Sequence, residues 1–206
     1  MEAEFFGANC IRLRSKNISV IIDDYEKDKG KLITKPGDIA VYTREAEEKS
    51  KASFIVSQPG EYEVNDVSIQ GIAARSHMDE ENDKSTTIYR FIINDFRVAV
   101  TGHIHPDISE RQLESIGMID ILFIPVGGNG YTLDGIGALK VIKKIEPSII
   151  VPTNYADQTI KFEVPQAELE EVRKILSMEP AEELDQLKLK SRDFAEGTKL
   201  VVLKRR

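Results

Sequence analysis

The first half of the chain alternates apolar and polar residues in short runs. In one run, Ile11 and Leu13 alternate with Arg12 and Arg14. A period of two is typical of a β-strand that buries one face and exposes the other. Three pairs of runs are joined by short polar turns, in which Asn and Asp tolerate the positive φ of a tight hairpin. The predicted hairpins cover residues 11–22, 61–70 and 88–100, with turns at 15–17, 65–66 and 94–95.

The second half contains continuous apolar runs instead of alternating ones. Residues 119–126 and 148–151 are almost entirely apolar, which predicts two strands buried on both faces. A third apolar run, at residues 200–203, predicts a final strand. The predicted core residues of the first two runs are Ile121, Phe123, Ile149 and Val151.

Three helices are predicted between these later strands. Ser109 and Gln112 have the spacing of a capping box, and Gly117 ends that helix. Asp134 can cap a second helix, which Pro147 stops. The third helix carries apolar residues at helical spacing after Pro165, namely Leu169, Val172, Ile175 and Leu176.

These elements predict an α/β chain of the α+β type. Two sheets should pack face to face with helices outside, which gives a four-layer αββα sandwich. No low-complexity linker interrupts the 206 residues, so residues 1–206 are predicted to form a single domain. Because hairpins fill the first half and helices alternate with strands in the second, we expect each half to supply one sheet.

Composition and charge restrict the possible functions. The formal net charge of −7 argues against binding to nucleic-acid phosphates or to anionic membranes. The single cysteine, Cys10, excludes an intramolecular disulfide and a cysteine-rich zinc site. The first residues lack the basic and apolar regions of a signal peptide, and no apolar run approaches the ~20 residues of a membrane span. We therefore expect a cytoplasmic protein.

Several segments carry a resemblance to a known family. They are the opening at residues 6–13, the strand at 38–43, Ser76-His77, residues 100–103, residues 120–134 and residues 151–155. Together they resemble the metallo-β-lactamase superfamily, in the branch that includes L-ascorbate-6-phosphate lactonase-like proteins. This resemblance implies the αββα fold and a metal-dependent hydrolase.

The metal ligands implied by the resemblance are mostly missing. Its His-x-His-x-Asp-His motif falls at Arg44, Ala46, Glu48 and Lys49, and the bridging aspartate falls at His103. The last histidine falls at Asn154, and only His77 keeps the residue of the family. Two cations at this motif would repel a dication by several kcal/mol per pair at about 4 Å.

The sequence therefore favours a degenerate member of this fold without the two-zinc hydrolase activity, acting as a binding module for a small polar ligand or a protein. Whether the chain is an enzyme is left open, and no cofactor is predicted for this function. Arg44 and Lys49 could replace the charge of the metal and bind an anion, although residues 44–49 are more simply a solvated helix start. The candidate cleft residues are His77, His103, His105, Asn154, Arg44, Glu48 and Lys49.

Two enzymatic alternatives remain. His77, His103 and His105 are the only histidines, and with Asp107 or Glu48 they could form a rearranged mononuclear site for zinc or another divalent metal. The other alternative is a metal-free enzyme that uses carboxylates, such as Asp23 and Asp24, together with His77. We also expect the three histidines and Asn154 to lie in one cleft, because each follows a strand end.

Overall fold

The computed structural model describes residues 1–16, 18–190, 194 and 197–206. Its strands in chain order are β1 (Glu2–Gly7), β2 (Cys10–Ser15), β3 (Ile18–Ile22), β4 (Ile39–Val41), β5 (Phe54–Val56), β6 (Gly60–Val64), β7 (Val67–Ala74), β8 (Thr86–Ile93), β9 (Phe96–Val100), β10 (Ile121–Pro125), β11 (Ile149–Thr153), β12 (Pro180–Leu184), β13 (Leu187–Lys188) and β14 (Lys199–Leu203). The helices are α1 (Glu26–Lys29), α2 (Glu110–Ile116), α3 (Gly135–Ile145) and α4 (Leu169–Leu176).

The strands form two sheets. The first has the order β13-β1-β2-β3-β4-β5, and the second has the order β12-β14-β11-β10-β9-β8-β7-β6. In the second sheet the neighbours from β12 to β9 are parallel, and those from β9 to β6 are antiparallel. The expectation that each half of the chain supplies one sheet is wrong. Hairpins β6–β7 and β8–β9 extend the second sheet, because β9 pairs in parallel with β10.

Local sequence signals agree with the observed turns and helix ends. Asn65, Asp66, Asn94 and Asp95 all have positive φ, as the hairpin prediction requires. Ser109 and Gln112 form the capping box of α2, and the Asp134 side chain accepts a hydrogen bond from the Gly137 N–H at the start of α3. The turn between β2 and β3 includes position 17, which lies outside the described residues.

Two apolar layers hold the sheets in place. One layer lies between the sheets and contains all four predicted core residues, among them Phe123 and Val151. The other lies between the second sheet and helices α2 to α4, and it takes the alternate residues of the same strands, such as Leu122 and Ile150. Because consecutive strand residues point to opposite faces, the continuous apolar runs are explained by burial on both sides.

The outer layer on the first sheet is thin. In the part of the chain that the structure describes, this side carries α1, whose four residues are all unburied, and a small cluster of Tyr25, Ala40 and Tyr42. Among the described residues, no helix is both long and apolar enough to cross a membrane.

Truncation of Phe123 tests the assignment of the core. Phe123 is fully buried between the sheets, so Phe123→Ala should lower the free energy of unfolding by about 3–5 kcal/mol. Phe54→Ala is the matched control, since Phe54 is 38% exposed at an edge strand and should lose less. Urea unfolding of the three proteins measures the difference. A loss below about 1 kcal/mol for Phe123→Ala would contradict the assignment.

Candidate functional site

Loops that follow several strands meet at one edge of the sandwich, and backbone hydrogen bonds hold them together. The N–H of His77, after β7, donates to the carbonyl of His103, after β9, at 2.9 Å. The N–H of Asn154, after β11, donates to the carbonyl of Ala8 in the β1–β2 turn at 2.8 Å. These bonds bring segments from both sheets into one site.

Thr43 fixes the positions of Arg44 and His103, whose side chains lie at the centre of this site. Its N–H and its hydroxyl each donate to the Asp23 carboxylate at 2.7 Å. Gly102 has φ of 59° and packs so closely that a Cβ at this position would lie 2.6 Å from Thr43. Arg44 and His103 are the next residues after Thr43 and Gly102. Their relative positions therefore depend on this contact.

His103 is buried, with 5% of its surface exposed. Oδ1 of Asn9 accepts a hydrogen bond from the Thr153 hydroxyl, which identifies the other amide atom as the nitrogen. Nδ2 of Asn9 therefore donates to Nε2 of His103 at 3.1 Å. The proton of a neutral His103 is therefore on Nδ1, which is buried without a partner among the described residues. Burial, reinforced by the charge of Arg44, lowers the pKa of His103 to about 3, so the ring is neutral near pH 7.

The guanidinium of Arg44 lies between two tyrosines. Nη1 donates to the Tyr131 hydroxyl at 2.8 Å, and the guanidinium carbon lies 5.4 Å from the ring centre of Tyr25. The Tyr131 ring also packs edge-on against His103, with ring centres 4.8 Å apart. Nε of Arg44 is buried and has no partner in the described part of the chain. Burial opposes the charge, but Tyr131 and Asp23 outweigh it and raise the pKa of Arg44.

The other two histidines form a separate pair at the rim. The rings of His77 and His105 have centres 6.0 Å apart, and Nδ1 of His77 is buried without a described partner. Nδ1 of His105 accepts the Asp107 N–H at 3.3 Å and lies 3.5 Å from the Asp107 carboxylate. Lys140 also binds that carboxylate, and its hydrogen bond holds the pKa of Asp107 below the usual value.

The remaining predicted residues lie farther from this centre. The Asn154 side chain donates to Gln166 at 2.8 Å, although its backbone joins the β1–β2 turn. Glu48 and Lys49 are exposed on the wall of a cleft of about 500 Å³, and Lys49 binds Glu26. Lys49 therefore does not share the position of Arg44.

The prediction that residues 44–49 begin a helix is wrong. Residues 44–49 form bends and a turn without a helix, and Lys49 pairs with Glu26 instead of Glu45. The reason is tertiary: the Tyr25 hydroxyl donates to the Glu45 carbonyl at 2.9 Å, and Glu47 accepts the Glu26 N–H at 3.2 Å.

The beta-lactamase superfamily domain matches residues 2–154 of this sequence, which is well over half of the chain. The chain belongs to this superfamily. No curated protein sequence is significantly similar to it.

Solved structures show the same fold. A provisionally named zinc-dependent hydrolase of the metallo-β-lactamase superfamily from Thermotoga maritima is 23% identical, with a TM-score of 0.77 over 98% of both chains. A provisionally named metal-dependent hydrolase from Parabacteroides distasonis is 16% identical, with a TM-score of 0.66 over 98% of this chain and 92% of the other. Igni18, a metallo hydrolase from Ignicoccus hospitalis, is 15% identical, with a TM-score of 0.61 over 85% of this chain and 90% of the other. The predicted metallo-β-lactamase-type fold is confirmed.

The residues at this site do not fit the metal centre that the superfamily implies. Across the described ranges, no three side chains of His, Cys, Asp or Glu are placed to hold one metal ion. The rearranged set of His77, His103, His105 and Asp107 is therefore not assembled as a ligand group. Arg44 places a cation beside His103, and a cation there opposes a bound dication.

Sequence reasoning missed three residues of this site. Asn9 sets the tautomer of His103, while Tyr25 and Tyr131 hold the guanidinium of Arg44. No local pattern identifies these residues, because Asn9 is 94 positions from His103 and Tyr131 is 87 positions from Arg44.

The pKa of Asp23 predicts a pH dependence of stability. Burial raises this pKa from 3.8 to about 6, against the opposing hydrogen bonds of Thr43 and the charge of Arg44. The folded state therefore binds this proton more tightly than the unfolded state. The resulting stability is fully present below pH about 4 and is lost as pH rises through about 6.

Asp23→Asn should remove this loss, because the amide stays neutral. Between pH about 4 and 7, the free energy of unfolding of the wild type should fall by about 3 kcal/mol relative to that of the variant. Urea unfolding across this range measures the difference, and Asp66→Asn, at an exposed turn, is the control. Parallel pH profiles for the wild type and Asp23→Asn would contradict the assignment.

Proposed function

We propose that this chain is a small-ligand binding module on the metallo-β-lactamase fold, and that it acts without the two-metal hydrolytic centre. The observation that carries the proposal is the placement of Arg44, which the resemblance puts at the first ligand position of the superfamily motif. Its guanidinium is placed by Thr43 and held between Tyr25 and Tyr131. The position is thus occupied by a firmly held cation.

The neutral state of His103 supports the same proposal. A ring with a depressed pKa could bind a metal, but Nε2 already accepts from Asn9 and the Nδ1 side carries the proton. Both ring nitrogens are therefore unsuited to ligate a metal without breaking this arrangement. The resemblance to the L-ascorbate-6-phosphate lactonase-like branch supports a shared scaffold, since it extends over the strand segments, whereas only His77 of the ligand positions keeps the residue of the family.

The cleft in front of Arg44 supports ligand binding. It has a volume of about 500 Å³, which lies within the range of small-molecule sites. Its lining combines the ring of Tyr25 with charged and hydroxyl side chains, including Lys27 and Ser85. A site with an aromatic wall and a few fixed polar groups suits a small polar ligand better than a flat protein interface.

The alternative is a hydrolase with one metal at the histidines. The 6.0 Å separation of the His77 and His105 rings favours it, because two imidazoles at this distance can share one ion. However, His103 is turned toward Asn9 and Asp107 is bound to Lys140, so two rings are the whole ligand set. Such a pair would bind metal weakly.

An activity assay with added metal separates the two functions. With zinc or manganese added, we expect negligible turnover of β-lactam, lactone and phosphodiester substrates, because no activated water is generated. His77→Ala and His103→Ala should leave this background unchanged. A turnover that EDTA abolishes and that His77→Ala also removes would overturn the proposed function and establish the metal-dependent alternative.

A further inference from the structure

Arg44, at the centre of the site, has no carboxylate partner among the described residues, unlike two other partly buried arginines. Arg12 binds Glu4, and Arg97 binds Asp120. No carboxylate of the described residues lies within ion-pair distance of Arg44, whose hydrogen-bond partner is the phenol of Tyr131. A cation removed from water without an anion is costly, and this cost falls when an anion binds.

The geometry of the guanidinium defines what can bind. In a guanidinium group, Nε–H and one Nη2–H point in the same direction and form a fork that matches two oxygens of a carboxylate or phosphate. Tyr131 takes Nη1, which is outside this fork. Nε is buried without a partner, and Nη2 donates to no described residue. The bidentate edge of Arg44 is thus the edge that the protein leaves unused.

The other two cations that line the cleft, Lys27 and Lys49, are already paired, and the acids of the lining are Glu45, Glu47 and Glu48. Lys27 is bound to Glu163 at 3.0 Å, and Lys49 is bound to Glu26. The carboxylate of Asp23, whose charge acts on Arg44, has both oxygens used by Thr43. Among the described residues, Arg44 is therefore the cation of the cleft lining that no carboxylate pairs with.

We propose that the ligand of this cleft carries an oxyanion, either a carboxylate or a phosphate, which binds to the Nε and Nη2 edge of Arg44. This proposal rests on the proposed function and specifies its ligand class. The charge of Arg44 replaces the metal as the group that receives the anion, and Tyr25 and Tyr131 hold the guanidinium in a fixed orientation for it.

Isothermal titration calorimetry at constant ionic strength tests the proposal with inorganic phosphate, acetate and chloride. At least one of the two oxyanions should bind saturably and more tightly than chloride, because an oxyanion gives each N–H group of the fork an oxygen of its own. The comparison of phosphate with acetate identifies which oxyanion the site prefers. Arg44→Lys keeps the charge but loses the fork, so affinity should fall about tenfold or more.

Lys49→Gln is the matched control, because it removes an exposed cation from the same cleft without touching the fork. Its affinity should stay within about twofold of the wild type. If Arg44→Lys does not fold, nitrogen NMR of the wild type replaces it, and the Nε–H resonance of Arg44 should shift on titration with the bound oxyanion. An Nε–H resonance that stays unshifted at saturation would overturn the proposal.

The outcomes separate this proposal from the function on which it rests. If neither oxyanion binds, or if Arg44→Lys and Lys49→Gln weaken binding equally, the oxyanion proposal is overturned while a metal-free binding module is unaffected. EDTA-sensitive turnover with added metal overturns the proposed function instead, whatever the anions do.

Discussion

The contact between Thr43, Asp23 and Gly102 is the constraint on which the site depends. It ties the end of β4 to the end of β3 through two hydrogen bonds of 2.7 Å, and it leaves no space for a side chain at Gly102. Arg44 and His103 extend from this contact into one region of the cleft edge. The backbone contact therefore sets where the side chains of Arg44 and His103 begin.

The interactions that stabilise the fold lie apart from the cleft. Stability comes from two apolar layers, one between the sheets and one under the helices, and neither layer reaches the cleft. The loops at the site are joined by backbone hydrogen bonds, such as that from His77 to His103, which do not need a metal. The guanidinium of Arg44 then supplies a fixed positive charge, and two aromatic rings stabilise it.

The sequence predicts the fold better than the site, for physical reasons. Hairpin turns such as Asn94-Asp95 and the capping box at Ser109 are local signals, so they are readable within a few residues. The allocation of hairpins to sheets is not local, because it depends on β9 pairing with β10 across α2. Likewise, Asn9 and Tyr131 reach the site only through tertiary contacts. The resemblance implies that Arg44 lies at the site, but it does not imply the contacts of its guanidinium with Tyr25 and Tyr131.

The metal content of the protein, purified without added zinc, tests most directly whether Arg44 has replaced the metal. Elemental analysis by mass spectrometry gives the number of bound ions per chain after dialysis. The account predicts substoichiometric metal, unchanged between the wild type and His103→Ala. One or two tightly bound zinc, manganese or iron ions per chain, lost in His103→Ala, would contradict it.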